Sequence, residues 1–474
     1  MTVRAPQTLS QSPLRLRQTL RRKSRLILLA KDKMTKRKHR KLQTVTDVLL
    51  IAAPLGVRSE HAQLSPPLGL ALIGACCQEA GFSTTAIDFN LSGLNLVRLQ
   101  GVLNYDRPRV IGISANTETW TAACEIAATC KETLPDATVV VGGAHPSILP
   151  GECLRESKAD YVIAGPGERS FTTLVEQIIR GPKVDPEVIS GLYYRLGNAA
   201  CGNQAEPLGD PDKLPWADRD LFPISQYRDR CTVLTSTGSC PYRCSFCSAS
   251  AIWRGRRRYR SVENIMEELT ALANTRGIRD VFFADDIFTL NRSWTLELCD
   301  ALSAADLCTT WGCATRIDRV DDELLEAMAA AGCDGIQFGI ESGAADILQS
   351  VKGIDKDMVI HAVGKAQELG IKTLCSFMVP FPEDTLETLA ETRRFMKELG
   401  ALGSDIGMSF TCPYPGTPLY AQAKELGIRI IPQTWDEFST RSPMIETRYL
   451  NARQIKQFAE ETALELGFRR TAAE

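Results

Sequence analysis

The sequence predicts an α/β protein in which a doubly wound sheet is followed by a partial (β/α)6 barrel. Short apolar strands alternate with helical segments from residue 46 onward. Small and polar residues fall where the predicted strands end. Strands that alternate with helices form parallel sheets, and such sheets bind ligands at the carboxyl ends of their strands.

The composition excludes several classes of protein. The 474 residues are 44% hydrophobic and 24% charged, as in an ordinary soluble protein. No apolar run reaches the roughly 18 residues of a membrane span, and no secretory signal is present. We therefore predict a cytoplasmic protein with reduced thiols, whose 16 cysteines bind metal where they cluster and pack as small apolar side chains elsewhere.

The charge is divided unevenly along the chain. Residues 1–45 carry fourteen Lys and Arg residues against one acid, whereas the remainder carries 41 basic and 56 acidic residues. Such a basic block is typical of a disordered tail that could bind nucleic acid or an anionic membrane surface. A transit peptide and a true translation start at Met34 are alternatives. We assign the tail no catalytic role and expect no nucleic-acid partner.

Five predicted strands define a first domain over residues 46–190. They lie within VLLIAAP (48–54), TTAIDFN (84–90), RVIGISANT (109–117), ATVVVGGAHPS (137–147) and ADYVIAGPGE (159–168). Small residues in the turns after these strands let a large ligand approach the backbone closely. Residues 191–225, which are rich in Gly, Pro and Asp, predict a linker.

Six strand–helix units over residues 226–430 predict a partial version of the barrel whose active site lies at the C-terminal ends of its strands. The polar motifs of this region all fall at those ends. Residues 431–474 predict a helical extension with an amphipathic helix over 451–467.

Three cysteines, Cys240, Cys244 and Cys247, lie in the predicted loop STGSCPYRCSFCSAS. Three thiolates cannot complete a tetrahedral zinc site, and none of the four histidines is near them in the sequence. An iron–sulfur cluster with three Cys ligands leaves one iron open for a substrate. The alternative, a chance group of core cysteines, is disfavoured by the loop position and by the polar residues between the thiols.

The run Cys240-Pro-Tyr-Arg-Cys244-Ser-Phe-Cys247 resembles the signature of the radical S-adenosylmethionine (radical SAM) superfamily, including the aromatic Phe246. In that family the cysteines are the catalytic ligands of a 4Fe-4S cluster whose open iron chelates S-adenosylmethionine. One electron from the cluster cleaves the S–C bond and yields a 5′-deoxyadenosyl radical. The resemblance therefore implies a 4Fe-4S cluster, S-adenosylmethionine near Phe246, and an electron donor such as flavodoxin or ferredoxin.

Later strand ends extend this resemblance. Asp285 and Asp286 are similar to the Asp-Asp motif of the cobalamin-containing branch, which implies that one of them binds the methionine amino group. Arg316 is a candidate for the methionine carboxylate or a substrate anion. Glu341 and Ser342 lie in a Gly-Ile-Glu-Ser-Gly strand end, whose Glu can accept from ribose hydroxyls. For each residue alone, a surface turn or a helix cap is the alternative interpretation.

Two strand ends complete the comparison with that branch. The sixth strand ends in Tyr414-Pro-Gly-Thr417-Pro-Leu-Tyr420, which is a pattern of the branch. The fifth ends in VPFPEDT, where Pro380 stands in the place of a common glycine. This departure affects the contacts expected there and leaves the predicted fold unchanged.

The first domain resembles the cobalamin-binding domain that precedes the radical SAM domain in one large subfamily, through PPLGL, GIS, GGAHP and a final Gly-Pro-Gly-Glu turn. The cobalamin-binding residues that this implies are Pro67, Leu68, Ser114, Gly142, Gly143, His145, Gly167 and Glu168. The sequence has no Asp-x-His-x-x-Gly motif, so we expect no protein imidazole below the cobalt. A doubly wound domain that has lost cobalamin is the alternative.

The resemblance covers about residues 46–440 and implies a cobalamin-dependent radical SAM enzyme. We predict a C-methyltransferase that methylates an unactivated carbon of a small-molecule or natural-product substrate, using S-adenosylmethionine and methylcobalamin. A radical SAM cyclase or oxidoreductase without methyl transfer and a non-catalytic cofactor sensor are alternatives. A tRNA methylthiotransferase is a further rival, although the sequence lacks the second cysteine set and the terminal β domain of that branch.

Overall fold

The first sheet has seven strands: β1 (Val48–Ala52), β2 (Thr84–Asp88), β3 (Val110–Ser114), β4 (Thr138–Gly142), β5 (Tyr161–Ile163), β6 (Leu192–Leu196) and β7 (Ala199–Gly202). They appear in a computed structural model that describes residues 46–55, 65–227, 230–253, 255–305, 307 and 309–467. The sheet order is β2-β1-β3-β4-β5-β6-β7, with β1 to β5 parallel. In sheets of this order the ligand site lies at the switch point between β1 and β3. The predicted tail over residues 1–45 lies outside the described residues.

Helices cover both faces of this sheet. They are α1 (Leu68–Glu79), α2 (Phe89–Ser92), α3 (Leu96–Asp106), α4 (Trp120–Thr133), α5 (Ala144–Ile148), α6 (Pro150–Glu156) and α7 (Gly167–Arg180). Because side chains alternate along a strand, Leu49 and Ile51 join one core and Val48 and Leu50 the other. The predicted doubly wound α/β domain is confirmed.

A β-hairpin extends the sheet where the sequence predicted a linker. Strands β6 and β7 pair antiparallel, and β6 also pairs antiparallel with β5. Gly197, with φ of 60°, lies in the turn between them. The outer strand, β7, buries none of its residues. Such a short and partly polar edge lacks the apolar run by which the inner strands were recognised.

Ten further strands follow: β8 (Cys231–Val233), β9 (Ser236–Thr237), β10 (Arg258–Tyr259), β11 (Asp280–Phe283), β12 (Thr310–Thr315), β13 (Cys333–Glu341), β14 (Lys372–Val379), β15 (Asp405–Phe410), β16 (Arg429–Ile430) and β17 (Ile445–Glu446). Six of them form a parallel sheet in the order β15-β14-β13-β12-β11-β8. The pairs β9–β10 and β16–β17 form small antiparallel ribbons.

Helices follow the strands of the second sheet, as in a partial barrel. They are α8 (Ala249–Ile252), α9 (Val262–Arg276), α10 (Arg292–Ala304), α11 (Asp322–Ala330), α12 (Ala345–Lys352), α13 (Lys356–Glu368), α14 (Leu386–Ala401), α15 (Pro418–Ala421) and α16 (Ala452–Glu465). Phe283, Trp311, Phe338 and Phe377 lie on the helix-facing side of the sheet in one large core. This arrangement confirms the predicted partial (β/α)6 barrel and directs its strand ends to one edge.

The C-terminal extension packs on the barrel through the helix that its sequence predicts. Ile455 and Phe458 of α16 are buried with Val379 of β14 and Leu389 of α14. The described residues from 46 onward form one compact unit, so the predicted domain boundaries at 190, 225 and 430 stay predictions. No helix in the described part of the chain is long and apolar enough to cross a membrane. The cytoplasmic location also stays a prediction.

Candidate active site

The cysteine loop runs from the end of β9 to the start of α8. Gly238 opens it with φ of 98°, and a Cβ there would lie 2.7 Å from the carbonyl O of Arg256, so the turn requires glycine. The N–H of Cys247 donates to the carbonyl O of Cys244 at 3.1 Å. These turns hold Cys240, Cys244 and Cys247 half-buried in one loop.

The donor set of this loop fits an iron–sulfur cluster. The N–H of Ala249 approaches Sγ of Cys247 at 3.5 Å, and hydrogen bonds to sulfur are one way in which a protein tunes such clusters. Burial raises the pKa of Cys240 and of Cys247, but coordination to a metal deprotonates a thiol. Among the described residues, no three His, Cys, Asp or Glu side chains form a metal-binding group. A four-iron cluster binds each thiolate to a different iron, so the three sulfurs surround the cluster and need not meet at a single ion.

Later strand ends hold one side of the loop. The ring of Phe246 meets Phe381, which follows β14, edge-on with centroids 5.8 Å apart. The N–H of Leu419 donates to the carbonyl O of Ser245 at 3.1 Å. Phe246 therefore anchors the loop to the barrel, in addition to its predicted role near S-adenosylmethionine.

The Asp285 side chain links two segments of the barrel next to the cysteine loop. Its carboxylate accepts from the N–H of Thr235 at 3.0 Å, from the Thr235 hydroxyl at 2.8 Å and from the Ser236 hydroxyl. All three residues are buried. These bonds tie the end of β11 to the segment that leads into the cysteine loop, so Asp285 already has a structural task.

Asp286 is the more accessible acid of the pair. Its side chain is 43% exposed and accepts from Nη2 of Arg257 at 3.3 Å. Arg257 also donates to the Ser236 hydroxyl at 3.2 Å, while its buried Nε has no hydrogen-bond partner among the described residues. Asp286 therefore has the access to the site that a ligand amino group needs.

Arg316 connects the end of β12 with the cysteine loop. Its guanidinium lies 3.8 Å from the ring centroid of Tyr242, which stands between the first two cysteines. It donates to Asp318 at 2.7 Å and to the carbonyl O of Lys352 at 2.5 Å. The hydroxyl of Tyr242 donates to Asp318 at 3.1 Å. These contacts hold the buried Arg316 guanidinium next to the loop, paired with the half-buried Asp318.

Glu341 has an unusual backbone at the end of β13. Its φ of 75° is rare for a residue with a side chain, and such strain is concentrated at functional sites. Nζ of Lys352 lies 3.1 Å from Glu341 Oε1, with side-chain exposures of 7% and 10%. Burial raises the pKa of Glu341, and the charge of Lys352 opposes this rise. The neighbouring Ser342 hydroxyl accepts from the N–H of Ala344 at 3.2 Å.

The predicted cobalamin residues share one edge of the first sheet. The set lies at the last residues of β3 and β4 and at the starts of the segments that follow β1, β4 and β5, and it consists of Pro67, Leu68, Ser114, Gly142, Gly143, His145, Gly167 and Glu168. A Cβ on Gly143 would lie 2.4 Å from the carbonyl O of Ala115, so this glycine allows the close turn after β4. Every member except His145 and Glu168 is half-buried. The edge is therefore partly accessible to a ligand.

His145 and Glu168 are buried deeper in this edge. His145 lies between Trp120 and Trp435, with ring centroids at 5.2 Å and 4.8 Å, and its Nδ1 is 3.2 Å from the Thr117 hydroxyl. Burial lowers the pKa of His145 to about 4 and raises that of Glu168. His145 Nε2 and Glu168 Oε2 have no hydrogen-bond partner among the described residues. Buried polar atoms normally have hydrogen-bond partners, so these two atoms are suited to bind polar groups of a ligand at this edge of the sheet.

The ligand edges of the two sheets meet at the cysteine loop. Helix α5 of the first sheet contacts α8, which directly follows the last cysteine of the loop. The hydroxyl of Tyr414 donates to Glu118. A Cβ on Gly416 would lie 2.9 Å from Ile148 and 3.1 Å from Ala251. The structure thus brings both predicted cofactor regions to one side of the molecule.

Two cavities adjoin the cysteine loop. A cavity of about 1160 Å³ is lined by Cys240, Arg243, Arg256 and Arg257, together with the start of α10. A second, of about 360 Å³, is lined by Cys244 and by residues that include Arg316, Lys352 and Phe381. The thiol loop therefore has open space on two sides.

The sequence alone did not single out several residues of this site. Arg257 belongs to the basic run RRRYR just after the loop, and this run was an available signal. Tyr242 also lay inside the recognised motif. Glu118 carried no signal, because its partner Tyr414 is 296 residues away. Lys352, which pairs with Glu341, lies in none of the recognised motifs. The individual roles predicted for the site residues stay predictions.

Comparisons with known proteins agree with this geometry. The family model described as Radical SAM superfamily matches residues 234–396, and the B12 binding domain matches residues 55–175. The uncharacterized methyltransferase PH0819 of Pyrococcus horikoshii is 30% identical over 87% of this chain and 90% of its own. The anaerobic magnesium-protoporphyrin IX monomethyl ester cyclase of Rubrivivax gelatinosus is 25% identical over 80% of this chain and 70% of its own.

A solved structure has a similar fold over most of the chain. It is the radical S-adenosylmethionine methyltransferase TsrM from Kitasatospora setae with cobalamin and a [4Fe-4S] cluster bound. The TM-score is 0.67 at 21% identity, over 84% of this chain and 83% of that one. TsrM has also been solved with a tryptophan substrate and a SAM analog. At this level of identity the likeness shows the fold.

The cysteine loop, the two meeting sheet edges and these relatives agree on the cofactors, which are a 4Fe-4S cluster, S-adenosylmethionine and cobalamin. The chain belongs to the radical SAM superfamily, as an enzyme whose radical SAM domain follows a B12-binding domain.

Proposed function

We propose that the protein is a cobalamin-dependent radical SAM methyltransferase that methylates an unactivated carbon of a small molecule. The observation that carries the proposal is the meeting of the two ligand edges at the cysteine loop, where Gly416 packs against both Ile148 and Ala251. A methyl donor held by the first sheet and a radical generated at the second could then act on one substrate. The relative from Pyrococcus horikoshii, which is named a methyltransferase, supports the same reaction class.

Different residues of the chain would bind the cluster, S-adenosylmethionine and cobalamin. The cysteine loop would hold the cluster through Cys240, Cys244 and Cys247. Asp286, which is the accessible acid, would bind the ammonium group of S-adenosylmethionine, since a carboxylate suits an ammonium. The eight predicted residues of the first sheet edge would hold cobalamin.

Other residues orient these groups. Arg316, which Tyr242 and Asp318 hold in place, presents a positive charge to a carboxylate. Glu341, held by Lys352, presents its carboxylate to hydroxyl groups. When bound, the cofactors supply a carbon radical and a methyl group, and the protein supplies position and a dry site.

The first test is anaerobic reconstitution with iron, sulfide and hydroxocobalamin. We expect an iron–sulfur absorbance band, bound corrinoid and formation of 5′-deoxyadenosine. Cys244→Ala should remove the cluster band and 5′-deoxyadenosine. Cys201→Ala, at a half-buried cysteine in β7, is the matched control and should keep both. A folded wild-type protein with neither cluster nor 5′-deoxyadenosine would refute the proposal.

Cyclisation is the second candidate, because the relative from Rubrivivax gelatinosus is named a cyclase. S-adenosylmethionine labelled in its methyl group separates the two reactions. Methyl transfer places the label in the product, whereas cyclisation removes hydrogen from the substrate and leaves the product unlabelled. Bound cluster and 5′-deoxyadenosine without corrinoid would exclude methyl transfer through cobalt.

A further inference from the structure

The cysteine loop packs on the barrel through Ser245 and Phe246, and its wider open space lies beside Cys240. Phe246 packs on Phe381, and the carbonyl O of Ser245 accepts from the N–H of Leu419. Helix α5 contacts α8 on the side of the first sheet. Cys240 faces a different environment, because it lines the cavity of about 1160 Å³. The Cys244 side opens into a smaller cavity of about 360 Å³. A protein that delivers electrons to the loop therefore finds its wider approach on the Cys240 side.

The wall of this cavity is rich in arginine. Arg243, Arg256, Arg257 and Arg292 line it, and Arg258 is exposed next to them on β10. This concentration contrasts with the chain from residue 46 onward, which carries 41 basic and 56 acidic residues. A local positive surface on an acidic body steers a partner of opposite charge to one place.

Neighbouring acids neutralise only part of this positive charge. Arg292 pairs with Asp321 and Glu323, and Arg257 pairs with Asp286. Arg243, Arg256 and Arg258 are exposed and make no ion pair within the described ranges. These three side chains are therefore available to carboxylates of another molecule, and guanidinium groups bind carboxylates well.

We propose that the arginine surface around Cys240 is the docking site for a small acidic electron-donor protein. This inference rests on the proposed function, because a radical SAM enzyme needs one electron for each cleavage of S-adenosylmethionine. The reduced donor loses one electron and the oxidised cluster gains it, with no bond made between the two proteins. Docking at Arg256 and Arg258 places the donor beside the wall that contains Cys240.

Purified flavodoxin is the probe, and charge reversal is the perturbation. The test variant Arg256→Glu/Arg258→Glu changes two exposed residues outside the cysteine loop. The control Arg98→Glu/Arg453→Glu reverses two exposed arginines on α3 and α16, which also make no ion pair within the described ranges. Both variants keep the basic residues 1–45, so any binding by that segment is common to them.

Binding of flavodoxin to the reconstituted enzyme is measured by titration at low and high salt. Cluster reduction is followed separately with reduced flavodoxin and with dithionite. We expect the test variant to bind flavodoxin about ten-fold more weakly at low salt, and to be reduced by flavodoxin correspondingly more slowly. The control should match the wild type, and dithionite should reduce all three proteins at equal rates.

Equal flavodoxin binding by the test and control variants would overturn the docking site. The same result with weaker binding of citrate to the test variant would assign the arginines to a small anion instead. A wild-type protein that makes no 5′-deoxyadenosine with dithionite contradicts the proposed function. The flavodoxin titration still measures binding to the arginine surface of that protein. Failure of the docking proposal can therefore be distinguished from failure of the proposed function.

Discussion

Replacement of Asp285 by Ala should destabilise the protein, whereas the same change at Asp286 should not. The Asp285 carboxylate accepts three hydrogen bonds, two from Thr235 and one from Ser236, across the start of the barrel. Asp286 has one ion pair at 3.3 Å, and its side chain is 43% exposed. Adjacent residues of the same type thus provide a matched pair of substitutions.

The expected cost follows from the donors that Asp285→Ala leaves without an acceptor. A buried donor without a partner costs about 1–3 kcal/mol. The backbone N–H of Thr235 cannot turn to another acceptor, whereas the two hydroxyl groups can rotate. Relief from burying the carboxylate offsets part of the loss. We therefore expect a loss of about 3 kcal/mol for Asp285→Ala. Asp286→Ala should cost at most about 1 kcal/mol, because the largely buried Arg257 keeps the Ser236 hydroxyl as a partner.

Urea unfolding followed by circular dichroism measures both changes, from the midpoint and the m-value. Binding of S-adenosylmethionine to the reconstituted enzyme provides the second readout. We expect Asp286→Ala to weaken this binding while its unfolding midpoint stays at the wild-type value. If Asp285→Ala unfolds at the midpoint of Asp286→Ala, the structural task assigned to Asp285 is wrong.

Three further substitutions test other parts of the structure. The pKa of His145 is about 4 in the folded protein, against 6.5 for the ordinary side chain. Between these pH values the unfolded chain binds a proton at His145 that the folded protein does not. The wild type therefore loses up to about 3 kcal/mol of unfolding free energy as the pH falls from 6.5 to 4. His145→Phe should flatten this part of the curve of unfolding free energy against pH, and an unchanged slope would contradict the burial of a neutral imidazole. Lys352→Met should cost about 3 kcal/mol in urea unfolding because it leaves Glu341 buried without its partner, and Lys352→Met/Glu341→Gln should recover most of that loss. Gly343→Ala should cost about 2 kcal/mol of unfolding free energy, because its Cβ would lie 2.6 Å from a Cα of α14. The control Gly364→Ala should cost nothing, because a Cβ there meets nothing within 4 Å. Equal unfolding midpoints for the two variants would refute the packing argument.

Much of the fold could be predicted because its signals are local. Apolar runs such as residues 48–52 report buried strands, and glycines such as Gly277 report helix ends. The hairpin of β6 and β7 was missed because an edge strand with few buried residues has little pattern to detect. The spacing of Cys240, Cys244 and Cys247 was recognised for the same reason as the strands, since all its information lies within eight residues.

The site beyond the cysteines depends on residues that are far apart in the sequence. The Asp-Asp pair indicated a ligand contact but could not show that Asp285 serves Thr235, fifty positions earlier. No local pattern predicted that Arg316 donates to the carbonyl O of Lys352, 36 positions later, or that Tyr414 donates to Glu118 from 296 residues away. Such partners meet only when the sheets have formed.

The sequence by itself determined the strand–helix alternation, the cysteine loop and the family to which they point, because periodicity and short spacing are written into neighbouring residues. Tertiary structure decided which acid lies open to a ligand, which arginines line the wide cavity beside Cys240, and how the edges of the two sheets meet. Burial and charge pairing at those places depend on the packing of distant segments, and this packing exists only in the folded chain.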